Sequence, residues 1–413
     1  RSLKIQPTTV RYYLLTLRYL EIGDTASAEK TAKKGVAFSR ARISGGKASV
    51  WDYIGRERLK ISLLEARGQF SQAEPHIRAM VEYTRRVKST HPLSYIHYHG
   101  MLAENLAYQG RFIEAEIEIR KTLEEVIGFS GANAGATAEI LSYLGKILIL
   151  QGRFDEAQRI LQSAIHMLQG AGLSYDSTIV INLVLQLCRA LVADRNFNEA
   201  MQQFDHVRFA LQDNHFFYEK KVAQNPNLLL TLLKSGRVNE AMEIIVSVFK
   251  NYRLFFGDTH YRTAEMLCLR AMIHAINEDR KSALKDFAEG IPRLFAAQTE
   301  SEINYLKKQR IQILIESYLH LLGNIYQNNL ENTFAVDVPA ESFKLAQMLI
   351  DSTVQQSLGA TSAQKAITNP DLANLVRKEQ DALRQIQAIQ GAFLNAMAVP
   401  AAQQNQEIVS TLK

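Results

Sequence analysis

Two cysteines and two closely spaced histidines are the residues whose chemistry could make this chain an enzyme or a metal protein. Cys188 and Cys268 lie among apolar residues, and neither has a second cysteine at metal-ligand or redox spacing. A nucleophilic thiolate needs a base and an accessible cleft, so both cysteines are interpreted as buried hydrophobic residues. His97 and His99 are two positions apart, and on a helix such side chains point about 200° apart. They are therefore not expected to share a metal ion.

Acidic clusters and phosphate-binding loops are the other features that could support chemistry. Glu114, Glu116 and Glu118 fall in a segment predicted to be an exposed helix, and we interpret them as a solvated face. The sequence has no phosphate-binding glycine loop, no HExxH zinc motif and no EF-hand loop. We therefore expect no enzymatic activity in this chain, no cofactor and no bound metal.

The composition is that of a folded protein. The 413 residues are 47% hydrophobic and 22% charged, which excludes disordered and collagen-like chains. No stretch approaches the roughly 18 apolar residues that a membrane span needs. A cytoplasmic location is favoured. Export is the alternative, because the chain begins at Arg1 without a methionine and an upstream signal could have been removed.

The positive charge is concentrated at the start of the chain. Residues 1–100 hold 18 Lys and Arg against 8 Asp and Glu, whereas the remaining 313 residues hold 30 against 34. Such a basic end could attract an acidic partner, including nucleic acid. The segment has no arginine-rich run and no basic motif interleaved with aromatic residues. We favour solvated helix faces and do not expect a nucleic-acid partner.

A six-residue phrase, G-[RD]-Φ-x-[EQ]-A, recurs along the chain and defines seven units. Its closing alanines are 41 to 45 residues apart, and they are Ala28, Ala73, Ala115, Ala157, Ala200, Ala241 and Ala283. A period of this length predicts a solenoid of stacked repeats. In units 5 and 7, Arg195 and Glu278 replace the glycine, so these two turns are the weakest part of the pattern.

Each unit is predicted to be a pair of antiparallel helices. In unit 4, apolar residues at helical spacing form the first helix, namely Leu141, Leu144, Ile147 and Leu148. Gly152 ends this helix, and Asp155 is expected to cap the next one. The equivalent capping residues in three other units are Ser71, Asn198 and Asn239. A hairpin with two apolar faces cannot bury both alone, so neighbouring units must stack.

This pattern resembles the tetratricopeptide repeat. The residues that fall on the characteristic positions of that motif are Leu144, Gly145, Leu148, Gly152, Ala157 and Ala164. The standard period is about 34 residues. The longer spacing here is similar to the long-helix variety of kinesin light chains. The resemblance covers about residues 9–291 and implies an all-α, right-handed superhelix of about eight hairpins, an α-solenoid.

The resemblance also implies a concave surface, lined by the first helices, on which a protein or peptide partner binds. The groove positions carried over to this sequence are Tyr13, Arg58, His97, Glu104, Glu139, Ser142, Lys146, Asn182, Arg189 and Glu265. Their mixed charges argue against a purely basic groove for nucleic acid. For any one of these residues, simple exposure to solvent is an equal alternative.

The repeat phrase stops after about residue 292, and the predicted domains change there. Residues 293–352 are expected to form a degenerate eighth hairpin, with a first helix over 311–326 and a second helix from Pro339. Residues 353–413 are expected to be a linker followed by an amphipathic helix from Asn369 to about Met397.

The C-terminal segment has a second resemblance. The stretches that begin at Glu341, Val354 and Asn369 are similar to the region that joins repeats to protease in bacterial TPR–CHAT proteins. In that family a caspase-like cysteine peptidase follows the repeats. The resemblance implies that this chain is the regulatory part of a larger protein and acts on a C-terminal peptidase in cis. The alternative is a free-standing adaptor or peptide receptor.

Overall fold

The computed structural model describes residues 8–348, apart from 22–23, 48–49, 67–68, 87, 89–90, 131–133, 259 and 297–304. In these ranges all the regular structure is helical. The chain divides into two compact units, 1–338 and 339–413. No described helix is long and apolar enough to span a membrane. The predicted amphipathic helix from Asn369 to Met397 lies outside the described residues.

Seven helix hairpins follow one another in the first compact unit. Units 1 to 4 comprise α1 Thr9–Glu21 and α2 Thr25–Ser44, α3 Val50–Ala66 and α4 Phe70–Arg85, α5 Pro92–Tyr108 and α6 Phe112–Ser130, and α7 Ala134–Leu150 and α8 Phe154–Gly170. Units 5 to 7 comprise α9 Thr178–Ala193 and α10 Phe197–Ala210, α11 His215–Tyr218 to α13 Val238–Phe256, and α14 Tyr261–Ile276 and α15 Arg280–Ala296. Consecutive helices pack on one another from α1 to α10 and from α12 to α15, and α10 packs on α12 across the interruption of unit 6. The predicted all-α solenoid fold is confirmed.

Small residues let the two helices of a hairpin approach. All seven alanines that close the repeat phrase are fully buried. In unit 4, a Cβ added to Gly145 on α7 would lie 2.7 Å from Leu161 Cδ2 on α8. A larger side chain at either position would force the helices apart, so the repeat phrase encodes the close contact of the hairpin.

The turn between the helices needs a left-handed residue, and two units form it without glycine. Gly152 adopts φ +78°, and Arg195 and Glu278 both adopt φ +61°. The hydrogen bond from Asn196 N to Leu191 O, 2.8 Å, closes the turn of unit 5. The pattern therefore continues through the two units whose turns were in question, at a cost of about 1–2 kcal/mol for each non-glycine residue.

The predicted helix caps are wrong by two residues. Helix α8 begins at Phe154 with Arg153 as its N-cap, so Asp155 lies inside the first turn. The other second helices follow the same register, which also places Ser71, Asn198 and Asn239 inside their helices. The reason lies in the backbone: the N–H of the phrase alanine already donates to the residue four positions before it, as Ala157 N does to Arg153 O at 3.1 Å, so each helix begins before the predicted cap.

The first helix of unit 6 is interrupted. A one-turn helix, α11, leads into a π-helical turn over Glu219–Ala223, and α12 follows over Pro226–Lys234. Pro226 has no backbone N–H and is therefore suited to the first turn of a helix, where Asn225 caps it by accepting from Asn227 N at 3.0 Å. Unit 6 consequently presents irregular backbone where the other units present a continuous helix.

Helix α16, Tyr305–Gln327, follows the seven hairpins. Asn329 adopts φ +55° at the end of this helix, as the phrase glycines do in the earlier units. The following α17 has one turn, Glu331–Phe334, and residues 338–348 are helical again. The boundaries predicted at 292 and 352 stay predictions, as does an eighth hairpin completed by the helix near Pro339.

Candidate binding groove

The first helices of units 3 to 5 border an open cavity of about 1050 Å³, which we call the central groove. Its walls come from α5, α7, α9 and the irregular segment of unit 6. Six of the ten predicted groove residues line it, namely Glu104, Glu139, Ser142, Lys146, Asn182 and Arg189. The sequence did not predict the contribution of Lys221 and Asn225, because they belong to the π-helical interruption rather than to a regular repeat.

Charged and polar side chains on α5 and α7 neutralise one another only in part. Lys146 Nζ lies 2.9 Å from Glu104 Oε1. Glu139 has no hydrogen-bond or ion-pair partner among the described residues, and burial raises the pKa of its carboxyl group while Lys146 opposes the rise. Gln186 Nε2 donates to Ser142 Oγ at 2.8 Å, and its buried Oε1 accepts no hydrogen bond. The groove therefore retains polar groups without partners.

Arg189 is a cation of the groove without an ion-pair partner in the described part of the chain. Among the described residues its guanidinium makes no hydrogen bond and no ion pair. Burial lowers its pKa, and the nearby charge of Arg310 lowers it further, whereas Tyr108 and Glu104 oppose this. An arginine stays protonated in proteins, so the charge remains, on a side chain that is partly buried. An anionic group placed here would be bound favourably.

Apolar side chains surround these polar groups. Leu93 and Ile179 line the central groove and are 60% and 53% exposed. Tyr108 adds an aromatic ring that is 40% exposed. Exposed apolar and aromatic side chains next to an arginine are typical of the centres of protein–protein interfaces.

The structure places the other four predicted residues outside the central groove. Arg58 Cζ lies 4.4 Å from the centre of the Tyr13 ring, in a cation–π contact. His97 Nδ1 is 3.0 Å from the Tyr143 hydroxyl, and burial lowers the pKa of His97 to about 4, with Arg58 and Lys146 adding to the effect. Glu265 is buried under α16. These four residues make contacts between helices of the array instead of lining the groove.

Gly100 is a position that the sequence analysis missed. A Cβ at this residue of α5 would lie 2.3 Å from two ring atoms of Tyr143. The missing side chain lets the Tyr143 ring seat against α5 and reach His97. The signal in the sequence is a glycine inside a helix, which costs about 1 kcal/mol relative to alanine and so calls for a packing reason.

The cysteines and histidines that could support chemistry are packed or hydrogen-bonded within the fold. Cys188 and Cys268 are buried, and burial raises the pKa of both thiols. His97 and His99 contact different partners, since His99 Nδ1 lies 2.5 Å from Glu118 Oε1. No group of three or more His, Cys, Asp or Glu side chains in the described ranges could hold a metal ion.

The interpretation of the acidic cluster as a solvated face is wrong for Glu116 and Glu118, whereas Glu114 is exposed. Glu116 is 4% exposed and accepts from Arg153 Nη1 at 2.6 Å and from Gln151 Nε2 at 3.0 Å. Both donors belong to the next unit, so the contact depends on the stacking of units, which the pattern within a single helix does not show. Glu118 is partly exposed and accepts from His99.

Comparison with known proteins agrees with the repeat pattern. Residues 93–169, which include most of units 3 and 4, match the tetratricopeptide repeat family. Among curated proteins no sequence matches this chain.

Solved structures with a similar arrangement include a putative kinesin light chain from Podosopora anserina with nearly identical TPR-like repeats. It shows 17% identity over 51% of this chain and 99% of that chain, with a TM-score of 0.41. BtubC (BKLC) from P. vanneervenii shows 17% identity, over 56% of this chain and 92% of that chain, with a TM-score of 0.46. A tetratricopeptide repeat protein from Parabacteroides merdae shows 15% identity, over 74% and 98% of the two chains, with a TM-score of 0.37.

Proposed function

We propose that the central groove binds a segment of a partner protein and that the repeat array acts as a protein-interaction module. The observation that carries this proposal is one open cavity in which exposed apolar side chains surround an arginine that makes no ion pair within the described residues. A partner segment that buries Leu93 and Ile179 gains hydrophobic free energy, and a polar group on it satisfies the groups left unpaired.

A peptide or protein suits the groove better than a nucleic acid or a small molecule. The volume of about 1050 Å³ is at the upper end for a small-molecule pocket, and the groove extends over three repeats. Nucleic-acid surfaces are uniformly basic, whereas Glu104 and Glu139 stand beside Lys146 here. Helical repeats recognise peptides through residues on successive helices, which is the arrangement that α5, α7 and α9 provide.

The test uses a photo-crosslinking amino acid at position 179 in the full chain, with position 209 as the control. Phe209 is 73% exposed on the second helix α10, away from the groove residues. Once a partner captured at 179 is purified, its affinity is measured against Ile179→Asp and Phe209→Asp. We expect Ile179→Asp to weaken binding at least tenfold and Phe209→Asp to leave it unchanged. Equal affinities would contradict a partner site in the central groove.

We further propose that the array is the regulatory part of a longer TPR–CHAT protein, in which partner binding controls a caspase-like peptidase in cis. The support is the sequence pattern from Glu341 to the segment after Asn369. The test is to read the gene beyond Lys413. A histidine and a cysteine in a caspase-like context support the proposal, and a stop codon near Lys413 leaves the adaptor function instead.

A further inference from the structure

Helix α16 contacts parts of the array that are not its neighbours. In a solenoid each repeat contacts only the adjacent repeats, and α16 does pack on α14 and α15 of unit 7. It also contacts α9 of unit 5 and α7 of unit 4. This helix therefore lies across the surface formed by the first helices, beside the open part that forms the central groove.

Two ion pairs join α16 to this surface. Arg310 Nε lies 2.6 Å from Glu265 Oε1 on α14, and the side chains are 16% and 5% exposed. Further along the helix, Glu316 Oε1 accepts from Arg195 Nη2 of unit 5 at 2.8 Å. Arg195 belongs to the left-handed turn that replaces the phrase glycine, so this irregular turn aims its side chain at α16. We call α16 with these contacts the brace.

Two positive charges lie close together where α9 contacts the brace. Arg189 of α9, Asn227 of α12 and Gln309, Arg310 and Ile313 of α16 surround one small cavity. Arg310 has Glu265 as its partner, whereas Arg189 has none among the described residues. Gln309 Oε1 is buried there and accepts no hydrogen bond. Glu265 is thus paired with Arg310 alone, the charges of Arg189 and Arg310 lie close together, and their repulsion opposes closure of the brace.

We propose that the partner held in the central groove presents an anionic group to Arg189 and that this group fastens the brace to α9. The inference rests on the proposed function, because it assigns the chemistry of the partner at that same groove. Arg189 lines both the groove and the cavity beneath α16, so a group entering from the groove reaches the charge that repels Arg310. Partner binding and brace closure are therefore coupled, and each strengthens the other.

The coupling can be tested without the partner by changing the charge at position 189. In the full chain, Arg189→Met removes the repulsion and Arg189→Glu supplies the anion from within. We expect amide hydrogen exchange in α16 to slow at least threefold in Arg189→Met and further in Arg189→Glu. Lys221→Met is the matched control: it removes a cation of the groove that does not line the α16 cavity, so α16 should exchange as in the parent chain.

A second variant covers the case in which a change at position 189 prevents folding. Gln309→Glu places a carboxylate in the same cavity from the side of α16, and it should also slow exchange in α16. Unchanged or faster exchange in the folded variants overturns the inference. A partner that still requires Ile179 for binding would leave the proposed function in place, so the two failures are distinguishable.

Discussion

Equivalent positions of the repeat have opposite surroundings in units 4 and 7. Glu139 and Glu265 each lie 18 residues before the alanine that closes their phrase. Glu139 faces the central groove and has no partner in the described part of the chain, whereas Glu265 is covered by α16 and paired with Arg310. The motif determines where a side chain stands on the first helix. Whether it is available for binding depends on what else the chain packs over it.

The largest expected difference in stability is between the alanine variants of these two glutamates. Glu265→Ala leaves Arg310 buried without its partner, and breaking such a pair costs about 3–5 kcal/mol. Glu139→Ala removes a carboxylate that has no partner, so it should leave the free energy of unfolding unchanged or raise it. Urea denaturation of both variants measures the difference, and equal losses would show that the two positions are equivalent after all.

His97 occupies the same repeat position in unit 3, and it should make stability depend on pH. Its pKa is lowered to about 4 in the folded chain from an ordinary value of 6.5, chiefly by burial. Between these values the unfolded chain binds a proton that the folded chain does not, so stability falls as the pH falls through this window. The expected loss from pH 7 to pH 4 is about 2–3 kcal/mol.

The matched variants for this effect are His97→Gln and Asn182→Ala. The first removes the titrating group and should flatten the profile between pH 6.5 and 4. The second changes the same repeat position of unit 5 without a titrating group, so its profile should follow that of the parent chain. A slope that survives His97→Gln would assign the pH dependence to other residues.

A smaller effect on stability is expected when a glycine under the open groove is replaced by alanine. Gly100→Ala drives a methyl group into the Tyr143 ring, and overpacking of this kind costs about 1–3 kcal/mol. Gly128 on α6 has nothing within 4 Å of an added Cβ, so Gly128→Ala should gain up to about 1 kcal/mol from helix propensity. Thermal denaturation compares them, and a stabilising Gly100→Ala would mean that Tyr143 moves aside freely.

The smallest expected effect on stability comes from substitutions in the left-handed turns between the two helices of a unit. Glu278 in unit 7 holds φ +61° with an exposed side chain, and Glu278→Gly should stabilise the chain by about 0.5–1 kcal/mol. Gly152 in unit 4 already supplies this conformation, so Gly152→Ala should cost about 1 kcal/mol. Opposite signs in the two variants are the expected result of chemical denaturation. A destabilising Glu278→Gly would show that the side chain contributes more than the strain costs.

The features that sequence reasoning predicted are those encoded within one unit. Ala157 and Gly145 are small where two helices of a hairpin touch, and a fixed period repeats that contact along the chain. The missed features depend on contacts between units. Glu116 is buried where Arg153 of the next unit reaches it. Glu265 is covered by α16, and no repeat phrase in the sequence indicates where this helix packs.

The division of the surface into an open groove and a part covered by the brace is tested most directly by a distance between α9 and α16. Spin labels are placed at Asn182→Cys and Gln312→Cys, both exposed, after the buried Cys188 and Cys268 are replaced by alanine. Pulsed electron resonance on the full chain should give one narrow distance distribution, because α16 is seated on the first helices of units 4 to 7. A broad distribution that extends to long distances would contradict the brace and leave the whole surface open.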